Sequence, residues 1–105
     1  MQKLTVYIPE PYLERVKAAL FAAGAGRYAA YDSCCWQVQG QGQFRPLKGS
    51  APFLGRPGEV ARVTEYRVEM LCDDGCVSAV IAALRAAHPY EEPAFDFVRV
   101  SLGAG

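Results

Sequence analysis

The sequence predicts an α+β fold whose elements follow the order β-α-β-β-α-β, and three observations predict it. Apolar and polar residues alternate at 3–8 and again along 60–72, the period of a strand with one buried face. Apolar residues recur at helical spacing in two other runs, 13–23 and 77–84. Glycine or proline stands at most of the junctions between these runs, where the chain has to turn. The order is that of the split βαβ, or ferredoxin-like, arrangement: an antiparallel sheet carrying two helices on one face. In that topology strands 1 and 3 are central, and strand 4 lies beside strand 1.

The elements follow in turn. Leu4, Val6 and Ile8 alternate with Lys3, Thr5 and Tyr7 in the first strand. Pro9-Glu10-Pro11 ends it and opens a helix, since proline suits a first turn and Glu10 suits the positive end of the helix dipole. Leu13, Val16, Ala19, Leu20 and Ala23 form the buried stripe, and Gly24-Ala25-Gly26 supplies the cap. Tyr31 to Gly40 reads as the second strand, with Asp32, Cys34, Trp36 and Val38 on one face and Tyr31, Ser33, Cys35 and Gln37 on the other. Gly40-Gln41-Gly42 marks a bulge or bend. From Leu47 to Gly58 the chain is dense in glycine and proline, and Phe53 and Leu54 within it need an apolar neighbour. A loop of this length in a small domain is usually functional or interfacial. Val60 to Cys72 is the third and longest strand. Asp73 or Asp74 is placed to N-cap the second helix, whose stripe is Val77, Val80, Ile81 and Leu84. In the last strand Ala94, Asp96, Val98 and Val100 alternate with Phe95, Phe97, Arg99 and Ser101, and the Gly103-Ala104-Gly105 tail is expected to fray.

This pattern sets Tyr7, Phe95 and Phe97 on the face away from the helices, beside Glu65, Arg67 and Glu69. Open sheet faces are usually polar, so aromatic rings there imply a cover, and a homo-oligomer is the expected one. A register shifted by one bulge would instead turn both phenylalanines inward.

The 105 residues are enough for one domain and one core. Hydrophobic residues make up 51% of the chain and the formal net charge is zero, which argues against a disordered chain and against a nucleic-acid binder. No apolar run reaches membrane-spanning length. The N-terminal stretch reads as a strand and not as a secretion signal, so a cytoplasmic location is expected, with the four cysteines as free thiols. Cys72 and Cys76 lack the two-residue gap of redox and zinc-ribbon motifs, and Gly40-Gln41-Gly42 lacks the third glycine of a dinucleotide fingerprint.

The densest chemistry is His88-Pro89-Tyr90-Glu91-Glu92-Pro93. Two prolines stiffen this turn between the second helix and the last strand. His88, Glu91 and Glu92 could hold a divalent cation (zinc, copper or nickel suits imidazole with carboxylates), with Cys35, or its neighbour Cys34, as a fourth ligand. Against that reading, His88 can simply cap the helix C-terminus while the glutamates pair with Arg67 or Arg45. Acid–base catalysis by His88 with a glutamate is a further reading, though no nucleophile, phosphate loop or oxyanion hole accompanies it.

Four stretches occur in a familiar order: Tyr31-Asp32-Ser33-Cys34, Gly40-Gln41-Gly42-Gln43-Phe44-Arg45-Pro46, Glu65-Tyr66-Arg67-Val68-Glu69-Met70, and His88-Pro89-Tyr90-Glu91-Glu92-Pro93-Ala94-Phe95-Asp96. Together they resemble the YqfO branch of the NGG-interacting-factor-like family. The resemblance is to the CutA-like or PII-like domain inserted in its longer members, and to short stand-alone relatives. It covers nearly the whole chain, and its last stretch is the most specific. Cys35 departs from the small polar residue expected beside Cys34. The longer members carry a flanking domain with a dinuclear metal centre and are often called GTP cyclohydrolase type 2 homologues, but one histidine cannot build such a centre. The resemblance thus implies a single CutA-like domain over residues 1–105 with no second domain, assembled as a homotrimer. It implies a regulatory or metal-tolerance role. The role expected of this chain is non-catalytic binding, of a divalent metal or small ligand near the His88 turn or of a protein partner. Tyr31, Phe44, Arg45, Tyr90, Phe95 and Phe97 are the expected ligand or interface residues. The alternative is a small metal-dependent hydrolase.

Overall fold

The computed structural model describes residues 1–103. The fraying expected of Ala104 and Gly105 falls outside them. Four strands and two helices follow the predicted order: β1 (Gln2–Pro9), α1 (Leu13–Ala22), β2 (Trp36–Phe44), β3 (Ala61–Cys72), α2 (Val77–Ala87) and β4 (Phe95–Arg99). Short 3-10 turns at Glu10–Tyr12 and Asp74–Cys76 lead into the two helices. The sheet is antiparallel in the order β2-β3-β1-β4, so the two central strands are those the topology requires.

Leu4, Val6 and Ile8 from β1 and Val68 from β3 meet Val16 and Leu20 of α1 and Val80 and Leu84 of α2, all fully buried. Burying each such side chain is worth about 1.5–3 kcal/mol, which makes this cluster the main source of stability. α1 ends in a Schellman arrangement: Gly24 N–H bonds to the Phe21 carbonyl and Ala25 N–H to that of Leu20, with Gly24 at φ +110°. Gly26 N–H then docks on the Leu71 carbonyl, 2.8 Å away. The extents, 50 × 24 × 22 Å, and the radius of gyration, 14.8 Å, describe an elongated molecule. A compact chain of this length would have a radius of about 13 Å. The nine residues of β2 and twelve of β3 account for the excess, because the hairpin they form is longer than β4, with five, can flank.

Three expectations are corrected. Tyr31 to Cys35 is not strand. Tyr28 and Tyr31 close a tight bridge, and Ala29 and Ser33 have positive φ, which an extended strand excludes. Cys34 is accordingly a half-exposed loop residue and not a core one. Neither aspartate caps the second helix through its side chain: Asp73 precedes the 3-10 turn and accepts from Cys76 N–H through its backbone carbonyl.

The third correction concerns Phe95 and Phe97. The register pairs Phe95 with Val6 and Phe97 with Leu4. Residues opposite one another in an antiparallel pair share a face, so both rings lie on the helix side and pack against the core. They meet edge to face at 6.3 Å, and the Arg85 guanidinium of α2 stands 5.2 Å from the Phe95 ring. The open face is apolar through other residues. Tyr7, Trp36, Val38 and Val98 project there beside Glu65, Arg67 and Glu69, with Trp36 56% and Val98 57% exposed. Arg67 sits 5.9 Å above the Trp36 ring. Among the described residues no helix is long and apolar enough to cross a membrane.

Candidate functional site

The His88 turn meets the far end of the β2–β3 hairpin and the long loop that joins those strands. His88 ends α2, its backbone N–H bonding to the Leu84 carbonyl. Its ring is 5% exposed and points across to β1. Nε2 lies 2.7 Å from the Tyr7 carbonyl, and the Tyr90 amide donates to Nδ1 at 3.2 Å. A carbonyl only accepts and an amide N–H only donates, so Nε2 carries the proton and Nδ1 is bare. Burial holds the imidazole pKa below its usual 6.5, against the smaller upward pull of the Tyr7 carbonyl and Glu65. His88 is therefore a neutral brace between α2 and β1. It caps the helix by its backbone, while its ring does not reach back to the helix carbonyls.

Tyr90 carries the contact onward. Its hydroxyl donates to a Glu65 carboxylate oxygen at 3.0 Å. Burial and the Glu65 charge both push the phenol pKa well above the usual 10. Gly42 makes room for this pair, because a Cβ there would overlap the Glu65 carboxylate. Glu91 turns the other way and accepts the Ala51 amide on both oxygens, at 3.2 and 3.1 Å. That contact ties the turn to the long loop. Phe53, the apolar residue in search of a neighbour, packs edge to face on Tyr12 at 5.6 Å and lies 6.5 Å from the Tyr90 ring. Phe44 also packs against Tyr90, at 5.9 Å between ring centroids.

These groups surround a cleft of about 310 Å³, walled by Phe44, Phe53 and Tyr90 with Glu65, Glu91, Glu92 and Arg45. Phe44, Arg45, Tyr90, Glu91 and Glu92, all predicted from sequence, meet here. Tyr31, 72% exposed in its own tight turn, and Cys35, exposed ahead of β2, do not line the cleft. Phe95 and Phe97 pack against the core, away from the cleft lining. Among the described residues no three His, Cys, Asp or Glu side chains are arranged to hold a metal ion. His88, Glu91, Glu92 and Cys35 are thus not brought together as one ligand set, and both His88 nitrogens are occupied by protein.

Sequence reasoning missed Glu65 and Gly42 as site residues. Glu65 reads as one charge among several on an exposed strand face, and Gly42 as a bend. Only the register that sets Gly40 opposite Glu65 reveals the relation. A second hollow, about 300 Å³, is also lined by Glu65, with Tyr7, Val38, Gly40 and Arg67.

No family model matches the chain. The GTP cyclohydrolase 1 type 2 homolog of Mycobacterium tuberculosis is 48% identical over 96 residues, 91% of this chain and 25% of that protein. Its namesake in Bacillus subtilis is 44% identical over 100 residues, 95% of this chain and 27% of that protein. A solved Bacillus cereus protein related to NIF3 superposes with a TM-score of 0.79 at 36% identity, covering 91% of this chain and 24% of that one. CutA from Xylella fastidiosa superposes with a TM-score of 0.70 at 22% identity, covering 97% of this chain and 85% of that one. The PII-like protein CutA from Nostoc gives 0.69 at 17% identity, with coverage of 100% and 86%. The chain therefore has the CutA-like, PII-like form of the α+β fold, and spans about a quarter of the length of the GTP cyclohydrolase 1 type 2 homologs it matches.

Proposed function

We propose that the chain is a non-catalytic, ligand-binding module of the YqfO branch of NGG-interacting-factor-like proteins, working in the cytoplasm as a homotrimer. A small molecule occupies the cleft under the long loop. One observation carries the reading: Phe44 at the end of β2 with Arg45 beyond it, and Tyr90, Glu91 and Glu92 after α2, converge on one apolar cleft although the two groups are far apart in sequence. Apolar walls with a few convergent polar groups are the ordinary form of a small-molecule site. The only histidine in the chain is buried and engaged at both nitrogens, so it is not presented to a substrate as an acid or base. The cyclohydrolase in the relatives' names belongs to proteins roughly four times longer and is not carried over. Trimer formation accounts for the apolar open face of Tyr7, Trp36, Val38 and Val98, which a soluble monomer would leave wet.

The test is native mass spectrometry joined to an NMR screen. The protein is weighed with and without stoichiometric zinc, copper or nickel, then mixed with metabolite pools while the Phe44, Phe53 and Tyr90 ring signals are followed. A trimer whose cleft signals move with an organic ligand and not with the metals is the expected result. A monomer overturns the assembly. A metal retained by the trimer and lost in His88→Ala overturns the organic-ligand reading, and turnover of a GTP-like substrate overturns the non-catalytic one.

A further inference from the structure

We infer that the cleft selects an organic cation, a small ammonium compound with an apolar body, and this rests on the reading of the cleft as a ligand site. The walls carry three carboxylates, Glu65, Glu91 and Glu92, against one guanidinium, Arg45. Neutral donors engage two of the carboxylates, the Tyr90 hydroxyl on Glu65 and the Ala51 amide on Glu91. A hydrogen bond from a neutral donor orients a carboxylate without cancelling its charge, and each oxygen keeps lone pairs for another partner. Carboxylates therefore outnumber cations among the groups that line the cleft, and they stand beside apolar walls.

The walls also decide what kind of cation fits. Phe44, Tyr90 and Phe53 stand in sequence at 5.9 and 6.5 Å, tilted by 57° and 46°, so their faces are not stacked flat on one another. All three rings line the cleft, and an ammonium group within about 6 Å of an aromatic face is attracted by its quadrupole. Pro46, Pro52 and Leu54 supply apolar surface for the rest of the ligand. A bare divalent ion would gain little here. It wants a shell of oxygen or nitrogen ligands, and the described residues offer no group of three arranged to provide one. An alkylated ammonium ion loses less hydration and gains from ring and carboxylate together. The volume, about 310 Å³, stands at the lower end of small-molecule sites and limits the ligand to a compact amine.

The test uses a matched series: choline, its neutral carbon isostere dimethylbutanol, and the matching anion dimethylbutanoate. Each is titrated into the full chain with NMR detection of the Phe44, Phe53 and Tyr90 rings. Choline is expected to bind at least about tenfold more tightly than the neutral isostere, and the anion not at all. Glu92→Gln, which removes charge from an exposed side chain, is expected to weaken choline several-fold at unchanged melting temperature. Glu65→Gln is expected to do the same, since the amide oxygen it introduces still accepts the Tyr90 hydroxyl. Equal affinity for choline and the isostere in the same cleft overturns the charge inference and leaves the cleft reading standing, as does tighter binding of the anion. No ring shift with any of the three, nor with the metabolite pools, overturns both.

Discussion

Replacing His88 by alanine tests the central joint of the fold. The side chain is 5% exposed and joins α2 to β1 through the Tyr7 carbonyl while holding the Tyr90 amide. Alanine removes both hydrogen bonds, leaves two backbone groups seeking partners and opens a void where the ring lay. Each bond is worth about 1 kcal/mol net, and a buried group left unpaired costs about 1–3 kcal/mol, so a loss of about 2–4 kcal/mol is expected. The pH dependence is a second readout. The folded state holds His88 neutral with its pKa below 6.5, so below that pH the unfolded chain binds a proton that the folded chain resists. The stability His88 contributes is full above 6.5 and is lost as the pH falls through the depressed folded value. The slope from this one group reaches at most about 1.4 kcal/mol per pH unit. Since the chain has no other histidine, His88→Ala lacks this component altogether. Urea denaturation of both proteins across mildly acid and neutral pH reads both effects. Parallel pH profiles, or a loss under about 0.5 kcal/mol, would refute the brace.

Other perturbations follow the same geometry. Gly42→Ala sets a Cβ against the Glu65 carboxylate and should release the Tyr90 hydroxyl, lowering the Tyr90 phenol pKa in an NMR titration; an unmoved phenol pKa counts against the pairing. Val38→Arg on the open face should dissociate the proposed trimer without changing the far-UV spectrum, and a persistent trimer by light scattering would remove that face from the interface. Brief alkylation near neutral pH should label the exposed Cys35 first and Cys72 last. Burial and the neighbouring Cys76, Asp73 and Asp74 raise the Cys72 thiol above its usual 9.0, and peptide mapping gives the order. Glu91→Ala frees the Ala51 amide, whose hydrogen exchange should accelerate by about tenfold if the tie is worth about 1.4 kcal/mol.

Fold and site were unequally legible in the sequence. α2 falls where the stripe of Val77, Val80, Ile81 and Leu84 put it, and β1 and β3 read cleanly because each has one apolar face and one polar face. β4 misled. Phe95 and Phe97 alternate with Val98 and Val100, so both faces are apolar and the period of two carries no polarity. What orients the strand is its pairing with Leu4 and Val6, a relation across some ninety residues that no local window contains. Tyr31 to Cys35 misled for a different reason. Its composition suits a strand, but the left-handed residues Ala29 and Ser33 carry no glycine to announce them. The site motif was legible as a cluster of chemistry but not as a division of labour. Histidine beside two glutamates invites a metal, whereas the fold commits His88 to the backbone, Glu91 to the loop and Tyr90 to Glu65.

Glu65 joins the two surfaces on which the functional reading depends. It lines the aromatic cleft and also the hollow formed by Tyr7, Val38, Gly40 and Arg67 on the open face of the sheet. Its carboxylate holds Tyr90, and Tyr90 is the ring that Phe44 and Phe53 flank. A subunit that covers Val38 and Tyr7 would remove water near this residue. That raises the cost of its charge and strengthens its pull on a cation in the cleft. Assembly and ligand affinity would then be linked through one side chain, with equal effect in both directions. Val38→Arg therefore has a consequence beyond dissociation: the dissociated chain should bind choline more weakly than the trimer although no cleft residue has changed. Equal affinity in the two states would show that the cleft works within a single subunit and that Glu65 serves each surface independently.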